Sequence, residues 1–528
     1  APAAGQQNSP GVMFLPPAQG LSSLQSIQHS RWIRHLLALL AGGLLTLSLA
    51  PFELWPLAPL SCALFYLLLQ NVTSRQATLT GWLYGFGLFA SGASWVYVSI
   101  HDYGSAPPLL ASFLTLLFVA SLALFHALHA WLWVRYFRSS RHSLPGALAF
   151  AALWVALEIF RGWFLTGFPW LYAGYSQLGG PLAGLAPLGG VWLISFALAF
   201  SGALVIQLFC HHMQRHQVVL RTLLLPTLWL SSMLLHQHEW TRPAGAPLSV
   251  AVFQGNIEQN LKWDPDQLGS QLDLYREMTL TASSADILLW PETAVPLFQD
   301  SAQPWLDFMH ERALERGSTL ITGIPIRHID PDGHRRFYNG ITVLGEGSGE
   351  YLKQKLVPFG EYVPLQDWLR GLIEFFDLPM SDFARGPTGQ PPLQARGHSI
   401  APYICYEVVY PEFATKLAAQ SDILLTISND TWFGRSIGPL QHLQMAQMRA
   451  LEAGRWMIRG TNNGVSVLVD PFGQITAEIP QFEQAILHGQ VVPMQGLTPY
   501  LRFGSWPLSI LCTLLLLFSA RQKRKHRS

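Results

Sequence analysis

The ten residues Ala401-Pro402-Tyr403-Ile404-Cys405-Tyr406-Glu407-Val408-Val409-Tyr410 place a cysteine at the end of an apolar, β-branched run. Such a run is typical of a buried strand. Cys405 is the only one of the four cysteines outside the long hydrophobic segments, and a carboxylate, Glu407, follows two residues later. A thiol in this setting can be a nucleophile. It can also be an inert core cysteine, which is the commoner case. The residues that decide between these interpretations must therefore come from elsewhere in the chain.

The composition indicates a membrane protein with a substantial polar part. The 528 residues are too many for one ordinary soluble domain. Half of them are hydrophobic and 12% are charged, against about 25% charged in an average soluble protein. The net charge of +1 predicts no nucleic-acid partner. Because no Cys-x-x-Cys or Cys/His zinc spacing occurs, we expect no metal site, no disulfide framework and no cofactor.

Eight apolar runs approach the length of about 20 residues that spans a bilayer. They occupy residues 32–50, 54–69, 77–100, 108–136, 144–160, 185–210, 218–235 and 506–520. The sequence therefore predicts an α-helical membrane bundle of about eight helices, with seven spans in residues 31–237 and the last in residues 503–520. Residues 1–30, rich in Ala, Gly, Gln and Pro, predict a disordered tail, and the part before Met13 has the composition of an expression remnant.

Basic residues concentrate in alternate links between these runs. They include Arg31, Arg34, Arg75, Arg135, Arg138, Arg141, Arg215, Arg221 and the tail 521–528. Positive charge stays on the cytoplasmic side, so both termini are expected there. The polar block at 247–492 then lies on the outer side of the membrane. One outer link, residues 161–180, is crowded with aromatic residues, which predicts either an interfacial belt or a lipid-facing vestibule.

Residues 247–492 alternate short β-type runs with amphipathic stretches, which is typical of a layered α/β domain. Strands are predicted at 248–257, 286–290, 319–326, 338–344, 400–405, 423–428 and 464–469. Helices are predicted at 264–284, 304–316 and 438–454.

Three polar residues in this block could perform acyl transfer without a histidine. Glu292 follows a buried run and Pro291, where a carboxylate could serve as a base or merely cap a helix. Lys353 could stabilise an oxyanion, although a lysine in an amphipathic strand is usually a solvated residue. Cys405 would be the nucleophile. The sequence alone does not bring the three together.

The order Glu292, Lys353, Cys405, each in its local motif, resembles the Glu-Lys-Cys triad of the nitrilase (carbon–nitrogen hydrolase) superfamily. More narrowly, the chain resembles the bacterial apolipoprotein N-acyltransferase family. The matching segments are 254–257, 290–293, 356–364, 404–407, 428–434, 461–464 and 496–500. The resemblance implies a nitrilase-like αββα sandwich joined to the membrane bundle. It also implies a bacterial inner membrane, with the sandwich on the periplasmic side and both termini in the cytoplasm.

The resemblance also implies roles for individual residues. Glu292 would be the general base, Cys405 the nucleophile, and Lys353 the stabiliser of the oxyanion. Supporting positions would be Glu361, Glu407 and Asn339, with Glu407 positioning the substrate or a loop. The residues implied to bind substrate are Trp263, Tyr406, Trp432 and Phe433.

The implied reaction moves an acyl chain from the sn-1 position of a phospholipid, with phosphatidylethanolamine the expected donor. The implied acceptor is the α-amine of a diacylglyceryl-cysteine at the start of an apolipoprotein. A Cys405 thioester would link two ping-pong steps, and a monomer is the simplest assembly. Two alternatives remain open at this point. One is a membrane-tethered amidase with the same triad, and the other is a transporter with a fused sensory domain.

Overall fold

The computed structural model describes residues 30–139, 143–209, 213–329, 333–358, 360–361 and 383–525. The expected tail at 1–30 therefore lies almost wholly outside the described residues. Cys210, residues 359 and 362–364 of the longest family motif, and the last three residues of the basic tail also lie outside the described residues.

The first part of the chain, residues 31–236, is a helical bundle. Its main helices are α1 (Arg31–Leu47), α2 (Leu57–Leu68), α3 (Ser74–Gly92), α4 (Pro108–Leu132), α5 (Leu144–Arg161), α6 (Ala186–Leu208) and α7 (Arg215–His236). Proline occupies the first turn of α4, α5 and α6, where its missing N–H costs no intrahelical hydrogen bond. Thr73 and Gln76 form a capping box at the start of α3.

Four helices in the described residues are long and apolar enough to cross a membrane. They are Pro108–Phe137, Leu144–Arg161, Ala183–Leu208 and Arg215–His236. The bent pair Ser74–Gly92 and Val96–Tyr103, with an angle of 59° between its halves, could form a fifth. The predicted count of about eight is not confirmed. The helix Leu57–Leu68 has only 12 residues, fewer than a bilayer requires.

Glycines allow the backbones of α1, α3 and α4 to approach closely, as small residues do between membrane helices. A Cβ at Gly42 on α1 would overlap the carbonyl oxygen of Tyr84 and lie 2.7 Å from the amide nitrogen of Leu88. A Cβ at the neighbouring Gly43 would meet no atom within 4 Å. Of the two adjacent glycines, only Gly42 faces the backbone of α3.

Replacing Gly42 by alanine is expected to destabilise the bundle, because the added methyl group must separate two helix backbones. Overpacking of this kind costs about 1–3 kcal/mol. Gly43→Ala is the matched control and is expected to be neutral or slightly stabilising. Thermal unfolding in detergent measures both. Equal melting temperatures for the two variants would contradict this account of the packing.

The second part of the chain is a sandwich of two sheets. A six-stranded sheet has the order β14-β2-β3-β4-β5-β7, and a seven-stranded sheet has the order β13-β12-β11-β10-β9-β8-β6. The strands are β1 (Arg242–Pro243), β2 (Leu248–Gln254), β3 (Ile287–Leu289), β4 (Thr319–Ile329), β5 (Arg335–Gly345), β6 (Gly347–Ser348), β7 (Glu350–Leu352), β8 (Leu393–Ala395), β9 (His398–Ile404), β10 (Ile423–Ser428), β11 (Met457–Thr461), β12 (Ser466–Val469), β13 (Ile475–Ile479), β14 (Ala485–Val491) and β15 (Met494–Gln495).

Helices cover both outer faces of this sandwich. In chain order they are α8 (Gln259–Lys262), α9 (Leu268–Thr281), α10 (Gln303–Glu315), α11 (Pro411–Ala418) and α12 (Gly438–Ala453). Helices α9 and α10 pack on the six-stranded sheet, while α11 and α12 pack on the seven-stranded sheet. The four layers are those of the nitrilase-like fold. Two further helices, α13 (Pro499–Phe503) and α14 (Trp506–Lys525), follow the sandwich.

Parallel pairing brings the chemistry-bearing strand ends to one edge of each sheet. Strands β2, β3 and β4 are parallel neighbours, and so are β9, β10 and β11. Ligands in α/β proteins bind beyond the carboxyl ends of such strands. Glu292 follows β3 and Cys405 follows β9 directly, so the two facing sheets present a carboxylate and a thiol at the same end of the sandwich.

The aromatic link at 161–180 lies mainly between the bundle and the sandwich. Trp170 is 1% exposed, and its Nε1 donates to Oε1 of Gln441 on α12 at 2.7 Å. Trp95 Nε1 donates to the same oxygen at 3.1 Å, and Gln441 Nε2 donates to the carbonyl of Gly92 at 3.1 Å. The predicted interfacial belt is thus wrong for Trp170, because its indole is bonded to the sandwich. Trp163, 64% exposed, remains on the surface.

A break in α6 provides a second contact between the two parts. Gly189 and Gly190 depart from helical geometry, and Gly190 has a φ of +67°, a conformation that favours glycine. The freed amide of Val191 donates to Oε1 of Glu452 on α12 at 2.8 Å. The sandwich thereby supplies a partner for an N–H group that the broken helix cannot satisfy itself.

Candidate active site

Cys405 occupies a strained turn directly after β9. Its φ of +50° is unusual for a residue with a side chain. The residues Cys405–Val409 form one 3₁₀ turn, so the thiol leaves the sheet at a sharp bend and is only partly buried. Strain of this kind is concentrated at functional sites, which favours the interpretation of Cys405 as a nucleophile over that of an inert core cysteine.

Glu292 reaches the site through a close backbone approach. A Cβ at Gly323 on β4 would lie 2.7 Å from the Cα of Glu292 and 2.6 Å from the amide nitrogen of Thr293. Only glycine leaves room for the chain to turn there after Pro291. The Glu292 carboxylate is buried, and its Oε2 accepts a hydrogen bond from the main-chain N–H of Asn429 at 2.8 Å.

Lys353 lies between two carboxylates. Its Nζ is 2.7 Å from Oε1 of Glu361 and 3.4 Å from Oε1 of Glu292. Asn339 Nδ2 donates to the same two oxygens, at 3.1 Å and 2.7 Å, and Glu361 Oε2 accepts from the amide of Val357 at 2.8 Å. Since Lys353 is 1% exposed, it is a buried ion-pair partner and not the solvated lysine that its strand position alone would suggest.

The site keeps its amine charged and its thiol protonated. Burial lowers the pKa of Lys353, but the carboxylates of Glu361 and Glu292 outweigh it, so the net pKa is raised. Burial raises the pKa of the Cys405 thiol, and the charge of Glu292 raises it further, while Lys353 opposes them. A protonated thiol needs a base to become a nucleophile. The carboxylate of Glu292 and the ammonium of Lys353 both act on the thiol.

Glu407 is fully buried, and its carboxylate binds the main chain of two loops. Its Oε1 accepts from the amides of Gln354 at 2.6 Å and Lys355 at 3.2 Å, and its Oε2 accepts from the amide of Ile404 at 2.8 Å. Burial raises its pKa to about 7, although these N–H groups lower it. The carboxylate therefore joins the segment after Lys353 to the turn that carries Cys405.

Three of the four residues expected to bind substrate meet the helical bundle. Tyr406 donates its hydroxyl to the carbonyl of Gly167 at 3.2 Å. The carbonyl of Trp432 accepts from the hydroxyl of Ser99 at 2.8 Å, and the Phe433 ring lies 4.8 Å from that of Trp95. Trp263 differs, because it is 39% exposed and follows α8. The site thus has an aromatic side that is shared with the bundle.

A buried network beneath Cys405 was not predicted from the sequence. His442 Nε2 is 3.1 Å from the carbonyl oxygen of Cys405, and its Nδ1 is 3.1 Å from Oδ1 of Asp430. Arg459 donates to Oδ2 of Asp430 at 2.7 Å. Burial raises the pKa of Asp430, but Arg459 and His442 bring it down to about 2. Asp430 lies in a family motif, whereas His442 and Arg459 gave no signal outside their helix and strand.

Lys262 is a second buried lysine that the sequence did not single out. It is 4% exposed, and its Nζ donates to the main-chain oxygen of Glu292 at 2.9 Å. The only feature of the sequence that marked Lys262 was its position beside Trp263 in a polar segment. Among the described residues, no three His, Cys, Asp or Glu side chains cluster so as to hold a metal ion.

Two family models match the chain. The apolipoprotein N-acyltransferase N-terminal domain matches residues 41–204, and the carbon–nitrogen hydrolase domain matches residues 249–496. An apolipoprotein N-acyltransferase of Pseudomonas syringae pv. tomato is 62% identical over 484 residues, which cover 92% of this chain and 96% of that protein.

A protein of the same name in Azotobacter vinelandii is 64% identical over 94% of this chain and 96% of that protein. Another in Vibrio parahaemolyticus is 41% identical over 95% of this chain and 100% of that protein. The chain belongs to the apolipoprotein N-acyltransferase family.

Membership of the apolipoprotein N-acyltransferase family unites the two sides of the site. Trp95 and Trp170 lie within the N-terminal match, while Cys405 and Phe433 lie within the hydrolase match. The carbon–nitrogen hydrolase part contributes a thiol, a carboxylate and an ammonium. These groups are sufficient for acyl transfer through a thioester, which agrees with an acyltransferase.

Proposed function

We propose that the chain transfers an acyl chain from the sn-1 position of a phospholipid to the free α-amine of a diacylglyceryl-cysteine that begins an apolipoprotein. The observation that carries this proposal is the convergence of Glu292 and Lys353 on Cys405, at a site whose aromatic side is shared with the helical bundle. Completion of lipoprotein maturation is the role this reaction would serve.

In the first step, Glu292 takes the proton of the Cys405 thiol, and the thiolate attacks the carbonyl carbon of the ester. The Lys353 ammonium stabilises the oxyanion of the tetrahedral intermediate. The intermediate collapses and the ester C–O bond breaks. The leaving alkoxide takes the proton from Glu292, and the lysophospholipid departs as an alcohol. The acyl chain remains on Cys405 as a thioester.

In the second step, the neutral α-amine of the acceptor attacks the thioester carbonyl. Glu292 takes a proton from the attacking nitrogen, the C–S bond breaks, and the departing Cys405 thiolate recovers that proton. The products are an amide and the free enzyme. Because the first product leaves before the second substrate reacts, ping-pong kinetics are expected.

A site next to a membrane bundle suits substrates that are anchored in lipid. Drawing an acyl chain into water would cost about 0.8 kcal/mol per CH₂ group. Tyr406 and Phe433 contact the bundle at Gly167 and Trp95, so the site adjoins the part of the chain that would lie in lipid. A small soluble amide would gain nothing from this arrangement, which favours the acyltransferase over the membrane-tethered amidase.

We further propose how the molecule sits in the membrane. Residues 31–237 would form the membrane domain, residues 247–492 the periplasmic catalytic domain, and residues 503–520 a last span before the cytoplasmic tail 521–528. The alternation of basic links supports cytoplasmic termini in a bacterial inner membrane. Phosphatidylethanolamine is the proposed donor and a monomer the proposed assembly.

Trapping the acyl-enzyme tests the reaction and the nucleophile together. Purified protein is incubated with phosphatidylethanolamine that carries a labelled sn-1 chain, without acceptor. Label that hydroxylamine releases is expected on the wild-type chain and is expected to move to an added diacylglyceryl-cysteine peptide. Cys405→Ala should carry none. Cys512→Ala, which removes a buried cysteine on α14, is the matched control and should label normally.

Each part of the proposal can fail separately in this experiment. Absence of label on folded wild-type protein would refute the acyltransferase. Label that persists on Cys405→Ala would refute the assigned nucleophile. Solute flux that is indifferent to Cys405→Ala would instead favour a transporter.

A further inference from the structure

Lys262 is held rigidly at the back of the site. The main-chain oxygen of Leu261 accepts from Gln271 Nε2 at 2.7 Å, and the side chain of Gln259 accepts from Asn429 Nδ2 at 2.7 Å. These bonds fix the short helix α8 from both sides. The Lys262 ammonium therefore has a defined place, where it donates to the main-chain oxygen of Glu292 at 2.9 Å.

The charges of the triad together with Glu361 do not balance without this lysine. Glu292 and Glu361 are both buried and both contact a single ammonium, that of Lys353. A buried charge without compensation is costly, so the group needs a second cation. Lys262 supplies it, since its charge acts on Glu292 and on the Cys405 thiol. The other charges that face Cys405 are those of Lys353 and Asp430.

We propose that Lys262 is a second cationic positioning residue of the acyl-transfer site, which holds the chain at Glu292 and stabilises the negative charge that develops on Cys405. This inference rests on the proposed function, in which Cys405 is the nucleophile. Lys353 is tied to two carboxylates, whereas the hydrogen bond of Lys262 is to a main-chain oxygen. Its positive charge therefore acts on Glu292 and on the Cys405 thiolate without the direct ion pairs that Lys353 makes.

The effect of the Lys262 charge on Cys405 should depend on pH. Burial lowers the pKa of Lys262 to about 8, although Glu292 and Cys405 oppose the shift. Its charge is present below that pH and is lost above it. A contribution of this charge to the reactivity of Cys405 must disappear over the same range, whereas a purely structural contribution of the side chain would not change.

The test measures alkylation of Cys405 by iodoacetamide in detergent between pH 6 and 10, with Cys405→Ser giving the background. The wild-type rate is expected to rise less steeply with pH above about 8, where Lys262 loses its proton. Lys262→Gln keeps a donor for the Glu292 oxygen but removes the charge. It should react about tenfold more slowly at pH 7, as expected for a pKa shift of one unit, and should converge with wild type above pH 9.

Lys262→Arg keeps the charge at every pH and is the matched variant. It should be slowed less than Lys262→Gln at pH 7, and should exceed wild type at pH 10. A deficit of Lys262→Gln that is the same at every pH, or equal deficits for both variants at pH 7, would overturn the proposal. If neither variant folds, an unbroken slope of the wild-type profile through pH 8 would overturn it as well. Since alkylation uses neither lipid nor lipoprotein, the outcome is independent of whether the phospholipid label is found.

Discussion

Glu292→Gln is expected to slow formation of the acyl-enzyme by about 10²–10⁴-fold, the range in which a general base contributes to catalysis. The amide has nearly the shape of the carboxylate but cannot accept the proton of Cys405. Because burial and the site's negative charge raise the pKa of that thiol, little thiolate forms spontaneously at neutral pH. Rapid-quench measurement of labelled protein after mixing with phosphatidylethanolamine gives the rate.

The pH dependence separates loss of the base from damage to the site. Thiolate forms without a base as the pH rises, so the defect of Glu292→Gln should narrow at alkaline pH. Glu346→Gln, the same change at an exposed position between β5 and β6, is the matched control and should leave the rate unaltered. A rate for Glu292→Gln within tenfold of wild type at pH 7 would exclude Glu292 as the base.

Lys353→Met is expected to remove both activity and stability. The activity should fall by about 10²–10³-fold, the effect of deleting one group that stabilises an oxyanion. Loss of the ammonium also leaves Glu292 and Glu361 buried together without their shared partner. Breaking a buried ion pair from one side costs about 3–5 kcal/mol, which chemical denaturation in detergent can measure. Lys416→Met, at an exposed lysine on α11, is the control and should change neither quantity.

A double variant distinguishes the two effects of Lys353. Lys353→Met combined with Glu361→Gln removes one of the stranded charges, so part of the lost stability should return while the activity stays low. The net pKa of Lys353 is raised, so its stabilising effect is complete below the ordinary lysine value of about 10.4 and declines only above it. Full recovery of activity in the double variant would contradict the role given to the ammonium.

Glu292 and Cys405 could be singled out from the sequence because each follows a predicted buried strand. Lys353 follows β7, which was not predicted, and only the family resemblance singled it out. Parallel strands bring their carboxyl ends to one edge, and the family motifs identified which strand ends belong together. His442 and Lys262 were not accessible in the same way. Each lies on a helix and binds a main-chain oxygen, that of Cys405 for His442 and that of Glu292 for Lys262. Every residue type has a main-chain oxygen, so such a bond leaves no pattern in a single sequence.

Some strands and helices of the sandwich were predicted from the sequence, and others were not. The strand at 423–428 and the helix at 438–454 have strong patterns, and the structure has β10 at Ile423–Ser428 and α12 at Gly438–Ala453. Strands β7, β8, β11, β13 and β14 were not predicted, since the alternation in them is short or is interrupted by charged residues such as Arg459 and Glu478. Arg459 is fully buried in β11 because Asp430 pairs with it, and that pairing depends on the tertiary structure.

The hydrogen bond between Val191 and Glu452 can form only late in synthesis of the chain. The two residues are 261 positions apart, so α6 leaves the ribosome long before its partner on α12 has been made. Until then, the break in α6 and the indole of Trp170 have no sandwich to meet. The contact between the bundle and the sandwich therefore forms only after synthesis has passed α12.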